Sequence, residues 1–485
     1  MKRFPPIALF KSVEEFRETW TASSPGMDCI VDQESVSKIF NKPVQLTGLG
    51  KSVGNRFAIH PMEGWDANRD GSPSELTFRR WRNLGLSGAK LIWGGEAFAV
   101  QGDGRANPNQ LYNKSRDESI KFLDKLRSSI KSGHDDAGDS VSDLVIGLQL
   151  THSGRFARPH GPRDGKRVFS HPFLEEKYPE DECIPILTDG ELEAIGENFV
   201  EAAQIAAESG FDFVDIKCCH GYLLHEVLAG HTRPGQYGGS LQNRTRLFRN
   251  IVTDIRAACP GLGLGVRLSA TDCVPFNSIE DEGIGVPICQ DSENAHRYAF
   301  GLQPGTFDAP DYDEPVKFID IADELGIELV NISIGSPYYC PHVQRPAAYP
   351  PSDGYVSPED PLRSVARHIM AVRTCKKAFP HIKFVGSGYS YLQEFLSHVA
   401  AYEIQEDMVD FVGIGRMFLS YPEFPRDVLA SRPFERKRIC RTFSDCTSAP
   451  RNGLVSGCYP LDPYYKSRPE ALELKKIKKM TAKKP

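Results

Sequence analysis

The chain has 485 residues, of which 40% are hydrophobic and 25% charged, a composition typical of globular proteins. Its formal net charge of −6 argues against a nucleic-acid partner, and no apolar run approaches the roughly 20 residues that span a bilayer. Twelve scattered cysteines lack the density of a secreted disulfide scaffold. Because the first residues also lack the apolar core of a signal peptide, we expect a cytoplasmic protein with reduced thiols.

Short apolar or β-branched runs alternate along the chain with longer amphipathic stretches. The predicted strands are residues 56–60, 89–93, 144–148, 211–216, 262–268, 328–332, 382–385 and 408–412. Apolar residues recur at helical spacing in residues 190–208, 241–258, 316–325, 362–379 and 392–400. This alternation predicts parallel strands, and eight units favour one closed α/β barrel, the (β/α)8 TIM barrel.

The barrel defines the expected domain organisation. We assign it to residues 55–432, with an N-terminal extension at 1–54 and a C-terminal extension at 433–485 that ends in a basic tail. Long segments follow several strands, and in a barrel these loops lie at the C-terminal face, where active sites form. Residues 275–310, rich in Pro and Gly, suggest an irregular lid or subdomain.

Glycines at the ends of the last two predicted strands indicate a phosphate site. Gly386 and Ser387 follow the seventh strand, and Gly415 and Arg416 follow the eighth. Backbone N–H groups there can approach an anion closely, and the arginine adds a charged fork. The segment 48–52, GLGKS, only imitates the end of a P-loop, because the earlier glycine is missing and a strand follows it.

A cluster of polar side chains follows the fourth predicted strand. Lys217, His220 and Tyr222 share a short loop, and together they offer two donors for a carbonyl oxygen and one proton source. A lysine at a strand end also suits a Schiff-base lyase. The neighbouring Cys218 and Cys219 leave open a third interpretation, a redox-sensing protein without turnover.

These motifs resemble the Old Yellow Enzyme family of NADH:flavin oxidoreductases. The segment HGYLLHEVLAGHTRPGQYGGSLQNRTRLF is similar to the family signature, and NRFAIHPM, LQLTHSGR, LGVRLS and VGIGRMFL follow in the family order from about Val53 to Val428. The resemblance implies bound FMN, NADH or NADPH as transient reductant, and a small-molecule substrate, an activated alkene or enone. The sequence leaves a homo-oligomer open and predicts neither a nucleic-acid nor a membrane partner.

Roles for single residues follow from the same resemblance. Flavin contacts are implied for Pro61, Met62, Glu63, Gln149 and Arg267, and phosphate contacts for Gly386, Ser387, Gly415 and Arg416. Arg267 would place a cation beside the flavin pyrimidine, whose edge Gln149 would bind. Tyr222 matches the proton donor to the substrate α-carbon, and Lys217 and His220 match the two residues that bind the carbonyl oxygen.

Two positions depart from the family pattern. Lys217 stands where the family usually has histidine, and Glu63 stands where it has a small neutral residue beside the flavin. A lysine acts as a point charge, so the substrate is expected to be an alkene that carries or develops negative charge. Glu63 is either protonated, turned away, or paired with a cation such as Lys217.

The chain also has some likeness to the barrel domain of 2,4-dienoyl-CoA reductase. In the C-terminal extension, Cys446 and Cys458 have the spacing of two cysteines in the motif that follows the barrel of that enzyme. That enzyme carries a four-cysteine iron–sulfur motif, whereas here Thr442 occupies one position and Cys440 is displaced by one residue. Three thiolates do not readily hold a four-iron cluster. We expect no metal, with a lone zinc site as the minor alternative.

Overall fold

The centre of the protein is a closed barrel of eight parallel strands. The computed structural model describes residues 4–278, 283–289 and 292–481. The barrel strands are β1 Phe57–Ile59, β2 Leu91–Ile92, β3 Val145–Thr151, β4 Phe213–Cys218, β5 Gly263–Ser269, β6 Leu329–Ser333, β7 Lys383–Gly386 and β8 Phe411–Ile414. Each strand pairs with the next, and β8 pairs with β1, which confirms the predicted (β/α)8 barrel.

One main helix follows each barrel strand. These are α1 Glu75–Leu86, α2 Arg116–Asp136, α3 Asp189–Glu208, α4 Arg246–Ala258, α5 Asp313–Glu324, α6 Pro361–Ala378, α7 Leu396–Gln405 and α8 Phe424–Leu429. A capping box begins α3, where Thr188 Oγ1 accepts from the Glu191 N–H and the Glu191 carboxylate accepts from Thr188. The sequence predicted one continuous helical stretch at 241–258, but the structure divides it at Thr245 into Leu241–Arg244 and α4.

The N-terminal extension closes the bottom of the barrel. Its helices Val13–Ser23 and Gln33–Phe40 precede a hairpin of strands Val44–Leu46 and Lys51–Val53. The carboxylate of Glu328 accepts the N–H groups of Gly48 and Leu49, at 2.9 and 3.1 Å. The GLGKS segment therefore forms a hairpin turn at the end of the barrel opposite the predicted site.

Loops and the C-terminal extension cover the other end of the barrel. The shorter elements are Ala97–Ala99, Pro172–Lys177, Leu223–Leu228, Phe276–Ser278, Gly285–Pro287, Pro341–Gln344, Arg416–Ser420, Asp445–Arg451, Pro463–Lys466 and Pro469–Thr481. Arg451 donates to the carbonyl of Pro337 at 2.7 Å, so the extension reaches the loop after β6. The last residues of the predicted basic tail, 482–485, lie outside the described part of the chain.

In the described part of the chain, no helix combines the length and apolar character that a membrane crossing requires.

Candidate active site

A cavity of about 290 Å³ opens at the carboxyl ends of the barrel strands. Eleven of the twelve residues that the sequence assigned to the site line it: Pro61, Met62, Glu63, Gln149, Lys217, His220, Tyr222, Arg267, Ser387, Gly415 and Arg416. Gly386 does not line the cavity, since it is still part of β7. Its place is taken by Gly388 and Gly413, and Gly388 has the left-handed φ of 89° that favours glycine.

Glu63, Lys217 and Tyr222 form one contact group on the cavity wall. Lys217 is the fifth residue of β4 and is almost fully buried. Its Nζ lies 3.8 Å from Glu63 Oε2 and 3.9 Å from the centre of the Tyr222 ring, a cation–π distance. Of the three possibilities for Glu63, the geometry is that of the pair with Lys217. Burial lowers the pKa of Lys217, and the carboxylate of Glu63 opposes that shift.

The Tyr222 hydroxyl joins two further groups. It donates to Glu63 Oε2 at 2.6 Å and lies 2.7 Å from the Tyr338 hydroxyl. Because its single proton is directed at the carboxylate, the contact to Tyr338 is one in which Tyr338 donates. Burial, followed by the negative charge of Glu63, raises the pKa of Tyr222 well above its usual value. Tyr222 therefore keeps its proton at neutral pH.

His220 is held in an uncommon backbone conformation. Its φ is 68°, which is rare outside glycine. Two hydrogen bonds fix it: its N–H donates to Ser269 Oγ at 3.0 Å, and its carbonyl accepts from Ser336 Oγ at 2.8 Å. The ring Nε2 lies 3.0 Å from Ser333 Oγ and 3.1 Å from Gln344 Nε2. Burial, with Arg267 and Lys217 nearby, lowers the pKa of His220 well below its usual value, so the ring is neutral.

Gln149 is oriented by a buried carboxylate. Its Nε2 donates to Asp215 Oδ2 at 2.5 Å, and the same oxygen accepts from Trp93 Nε1 at 2.6 Å. All three side chains are buried. Since the amide nitrogen is used inside the barrel, the amide oxygen of Gln149 is the atom left to accept a hydrogen bond from the cavity.

Arg267 is a buried cation that has no carboxylate in ion-pair contact among the residues that the structure describes. It projects from β5, is 6% exposed and lines the cavity. Its Nε has no hydrogen-bond partner among the described residues, and burial lowers its pKa. An unpaired buried charge is costly, so this position requires an electron-rich group in the cavity.

A second group of cations occupies the end of the cavity near β7 and β8. Arg416 Nη2 donates to the carbonyl of Pro346 at 2.8 Å, and Arg345 Nη1 donates to Thr447 Oγ1. The buried atoms Arg416 Nη1 and Arg345 Nη2 have no partner in the described structure. Burial and the positive charges of the nearby Arg416 and Arg451 together lower the pKa of Arg345 to about 10. Two guanidinium groups, each with an unsatisfied nitrogen, beside glycine backbone are chemically suited to a phosphate dianion.

Other signature residues support the loops rather than the cavity. Arg244 pairs with Glu314 at 2.5 Å, and Arg233 pairs with Asp189 at 2.7 Å. Both arginines also donate to backbone carbonyls. These two arginines of the signature thus fix the loop between β4 and α4.

The cysteines differ from what a redox sensor requires. Cys218 and Cys219 are fully buried, and burial raises the pKa of Cys218 well above its usual value and that of Cys219 to about 11. Such thiols are poorly reactive. Cys446 and Cys458 border a small pocket beside Arg416. In the described part of the chain no group of three or more His, Cys, Asp or Glu side chains is disposed to hold a metal. The absence of iron stays a prediction for elemental analysis.

Several lining residues received no role from the sequence. They are His60, Trp65, Arg158, Tyr178, Tyr338, Arg345, Asp353 and Arg451. Among these eight, His60 lies within a recognised segment, NRFAIHPM, and its neighbours in the structure are Asn331 and Ser387, at 3.1 Å each. Arg451 ends the short helix Asp445–Arg451, and the other six come from irregular loops, where neither periodicity nor spacing marks a side chain that faces a cavity.

The donor set fits flavin mononucleotide. An unpartnered arginine and a glutamine with a free amide oxygen lie at one part of the cavity, and two arginines with unsatisfied nitrogens lie at the other. A flavin pyrimidine presents both acceptors and an N–H donor, and a single phosphate matches the paired guanidinium groups. Gln149 and Arg267 would hold the ring, and Ser387, Arg345 and Arg416 would hold the phosphate.

The sequence matches the model of a known protein family. The family model described as "NADH:flavin oxidoreductase / NADH oxidase family" matches residues 38–291. NADPH dehydrogenase of Bacillus subtilis (strain 168) is 32% identical over 224 residues, which are 45% of this chain and 60% of that protein. The Bacillus velezensis protein of the same name is 30% identical over 226 residues, 46% of this chain and 61% of that protein. The chain thus spans about 60% of the length of the curated relatives it matches.

Solved structures share the fold at low sequence identity. An old yellow enzyme homologue from Zymomonas mobilis aligns with a TM-score of 0.55 and 18% identity over 81% of this chain and 93% of that chain. Morphinone reductase aligns with a TM-score of 0.54 and 18% identity over 81% and 90%. A 2-naphthoyl-CoA reductase aligns with a TM-score of 0.62 and 16% identity over 90% and 58%. These likenesses confirm the barrel.

Proposed function

Because the chain belongs to the NADH:flavin oxidoreductase / NADH oxidase family, we propose that it is an FMN-dependent oxidoreductase that uses NADH or NADPH to reduce an electron-poor alkene. FMN, when bound, supplies a ring that takes hydride from the nicotinamide and gives it to the alkene. The observation that carries this proposal is the buried guanidinium of Arg267, without a carboxylate partner, in the same cavity as Lys217 and Tyr222.

Tyr222 is the proposed proton donor. Its raised pKa keeps the hydroxyl protonated, and Tyr338 can return a proton through the 2.7 Å contact between the two hydroxyl groups. The proton would go to the alkene carbon next to the electron-withdrawing group. The ammonium of Lys217 over the ring stabilises the negative charge that the phenol oxygen acquires on proton transfer.

Lys217 and His220 are the proposed donors to the substrate's carbonyl oxygen. Ser333 and Gln344 both contact His220 Nε2, so we assign the ring proton to Nδ1, which then serves as a neutral donor. Lys217 supplies a charge-assisted donor. Glu63 balances the lysine when no substrate is bound, so the two departures from the family pattern act together as one ion pair.

Burial of Lys217 also keeps the Schiff-base lyase as a second candidate. A lowered pKa is what a nucleophilic lysine requires, and burial lowers that of Lys217. The opposing effect of Glu63 and the unpaired arginines favour the flavin reaction. Borohydride treatment in the presence of a carbonyl compound separates the two, since a stable adduct at Lys217 forms only through an imine.

The proposal is tested by anaerobic reduction and reoxidation of the purified protein. We expect NADPH or NADH to bleach a visible absorbance band and 2-cyclohexen-1-one to restore it. A protein without a visible band after incubation with FMN, or one that NADH and NADPH both leave oxidised, contradicts the proposal. The predicted cytoplasmic location and the oligomeric state stay predictions.

A further inference from the structure

The backbone of Arg158 is fixed beside the cavity. Arg158 follows β3 and the turn Gly154–Phe156. Its N–H donates to the carbonyl of Arg105 at 2.8 Å, and its own carbonyl accepts from Gly161 at 3.2 Å. The side chain lines the cavity, where its charge acts on the hydroxyl groups of Tyr178 and Tyr338. These backbone hydrogen bonds therefore fix the point from which the Arg158 side chain reaches the cavity.

Neighbouring arginines are paired, whereas Arg158 is not. Arg155 pairs with Glu226 at 2.7 Å, and Arg163 pairs with Asp181 at 2.5 Å. In the described residues, the Arg158 guanidinium has no ion pair, and its buried Nε has no hydrogen-bond partner. A guanidinium fork with unused donors in a partly enclosed cavity is suited to a bidentate oxyanion.

The charge balance of the cavity also singles out Arg158. Six cationic side chains and two carboxylates line it: Arg158, Lys217, Arg267, Arg345, Arg416 and Arg451 against Glu63 and Asp353. Glu63 lies beside Lys217, and Asp353 accepts from Arg451. A bound phosphate, with a charge of about −1.5 to −2, would balance the positive charges of Arg345 and Arg416. The flavin ring would interact with the guanidinium of Arg267. Arg158 is then the cation without an assigned anion.

Aromatic side chains line the same cavity as this unassigned cation. Tyr178 and Tyr338 line the cavity with Trp65. Tyr338 stacks on Phe156, with ring centres 4.2 Å apart and an angle of 7°, and Tyr178 donates to the carbonyl of Tyr338 at 2.8 Å. The walls are therefore flat and fixed, which suits a planar conjugated compound.

We propose that Arg158 is the anchor for an oxyanion carried by the compound that enters the cavity, and so selects conjugated carbonyl compounds that bear a carboxylate or phosphate away from the reacting carbonyl. This inference rests on the proposed function. The same chemistry is present in the phosphates of NAD(P)H, so the test must separate an anionic alkene from the nucleotide. Arg158 would be a specificity-determining residue, distinct from Lys217 and His220 at the carbonyl.

The experiment compares a charged and a neutral alkene of the same skeleton. Calorimetric titration of the oxidised protein, without reductant, measures binding of 4-oxo-2-pentenoate and of its methyl ester. Arg158→Gln removes the charge, and Arg158→Lys keeps it without the fork. Lys166→Gln is the matched control, because Lys166 lies on the same loop and pairs with Asp103 at 2.6 Å without lining the cavity. Melting temperatures verify that each variant is folded.

We expect Arg158→Gln to weaken binding of the carboxylate tenfold to a hundredfold, the order expected for a charge-assisted hydrogen bond, and to leave the ester unchanged. Arg158→Lys should retain part of the preference, and Lys166→Gln all of it. The rate of reduction by NADPH and NADH forms the second arm. If Arg158→Gln instead slows reduction by both nucleotides and spares both alkenes, the oxyanion belongs to the nucleotide and the substrate assignment is overturned.

An unchanged ratio of carboxylate to ester affinity, together with unchanged reduction by NADPH and NADH, overturns the role of Arg158 altogether. In that case reduction of the neutral ester still supports the proposed function. If the wild-type protein neither binds nor reduces either alkene but 2-cyclohexen-1-one still reoxidises it, this inference alone fails. If 2-cyclohexen-1-one also fails to reoxidise it, the proposed function fails.

Discussion

Tyr222→Phe removes one hydroxyl group from the centre of the site. The side chain is 2% exposed, so the ring should stay in place. The change deletes the bond to Glu63 at 2.6 Å and the contact with Tyr338 at 2.7 Å. We expect a folded protein that still binds the flavin and is still reduced by NAD(P)H, because neither process needs this proton.

The size of the effect can be worked from these contacts. A buried polar group that loses its partner costs about 1–3 kcal/mol. Glu63 and Tyr338 both border the cavity and can bind water there, so we expect each loss near the lower end, about 1 kcal/mol. The two together should then lower the folding stability by about 2 kcal/mol. Removal of a general acid costs roughly 10²–10⁴-fold in rate, which is about 3–5 kcal/mol of barrier. The kinetic effect should therefore exceed the structural one.

Stopped-flow measurement of flavin absorbance separates the two half-reactions. Reduction by NADPH should stay within about twofold of wild type, and reoxidation by 2-cyclohexen-1-one should slow by at least the hundredfold lower bound for a lost general acid. Tyr338→Phe is the matched control, because it removes a hydrogen bond to Tyr222 and leaves the donor in place. Equal slowing of both half-reactions in Tyr222→Phe, or equal slowing of reoxidation in the two variants, would refute the assignment of Tyr222.

Substitutions at three further residues test the neighbouring groups. Lys217→Met should raise KM and lower kcat/KM for an enone while the flavin stays bound, and Lys217→His should restore part of the activity; full activity of the Met variant would remove Lys217 from the carbonyl site. Glu63→Gln removes the charge that opposes the lowering of the Lys217 pKa, so Lys217 should lose its proton at lower pH. The alkaline limb of the pH profile of kcat/KM should therefore move to lower pH. Superimposable pH profiles of the variant and the wild type would contradict the ion pair. Arg267→Ala should weaken FMN binding by roughly tenfold to a hundredfold, since a charge-assisted bond is worth about 1.5–3 kcal/mol. Fluorescence titration of the apoprotein with FMN measures this change. An unchanged dissociation constant would mean that Arg267 does not contact the ring.

The barrel could be predicted because its strands and helices differ in period. Each predicted strand overlaps an observed one, since buried parallel strands are short continuous apolar runs between amphipathic helices. The break at Thr245 was not visible, because the apolar residues on both sides keep helical spacing. Local backbone geometry, which that pattern does not encode, divides the helix.

The site was predictable only where residues lie on or just after a strand. Gln149, Lys217 and Arg267 are strand residues, and a strand fixes which side chains point toward the mouth of the barrel. Tyr338, Arg158 and Arg345 come from long loops, and their positions depend on contacts between segments far apart in the chain. Arg345, for example, is held by Thr447 of the C-terminal extension.

The central claim is that the barrel cavity binds FMN. The most direct measurement is acid release of the chromophore from the purified protein, reconstituted with a mixture of FMN and FAD, followed by identification of the released compound by mass. We predict one FMN per chain and no FAD, because the paired arginines at β7 and β8 provide a single phosphate site. Release of FAD, or of no flavin at all, would contradict the account.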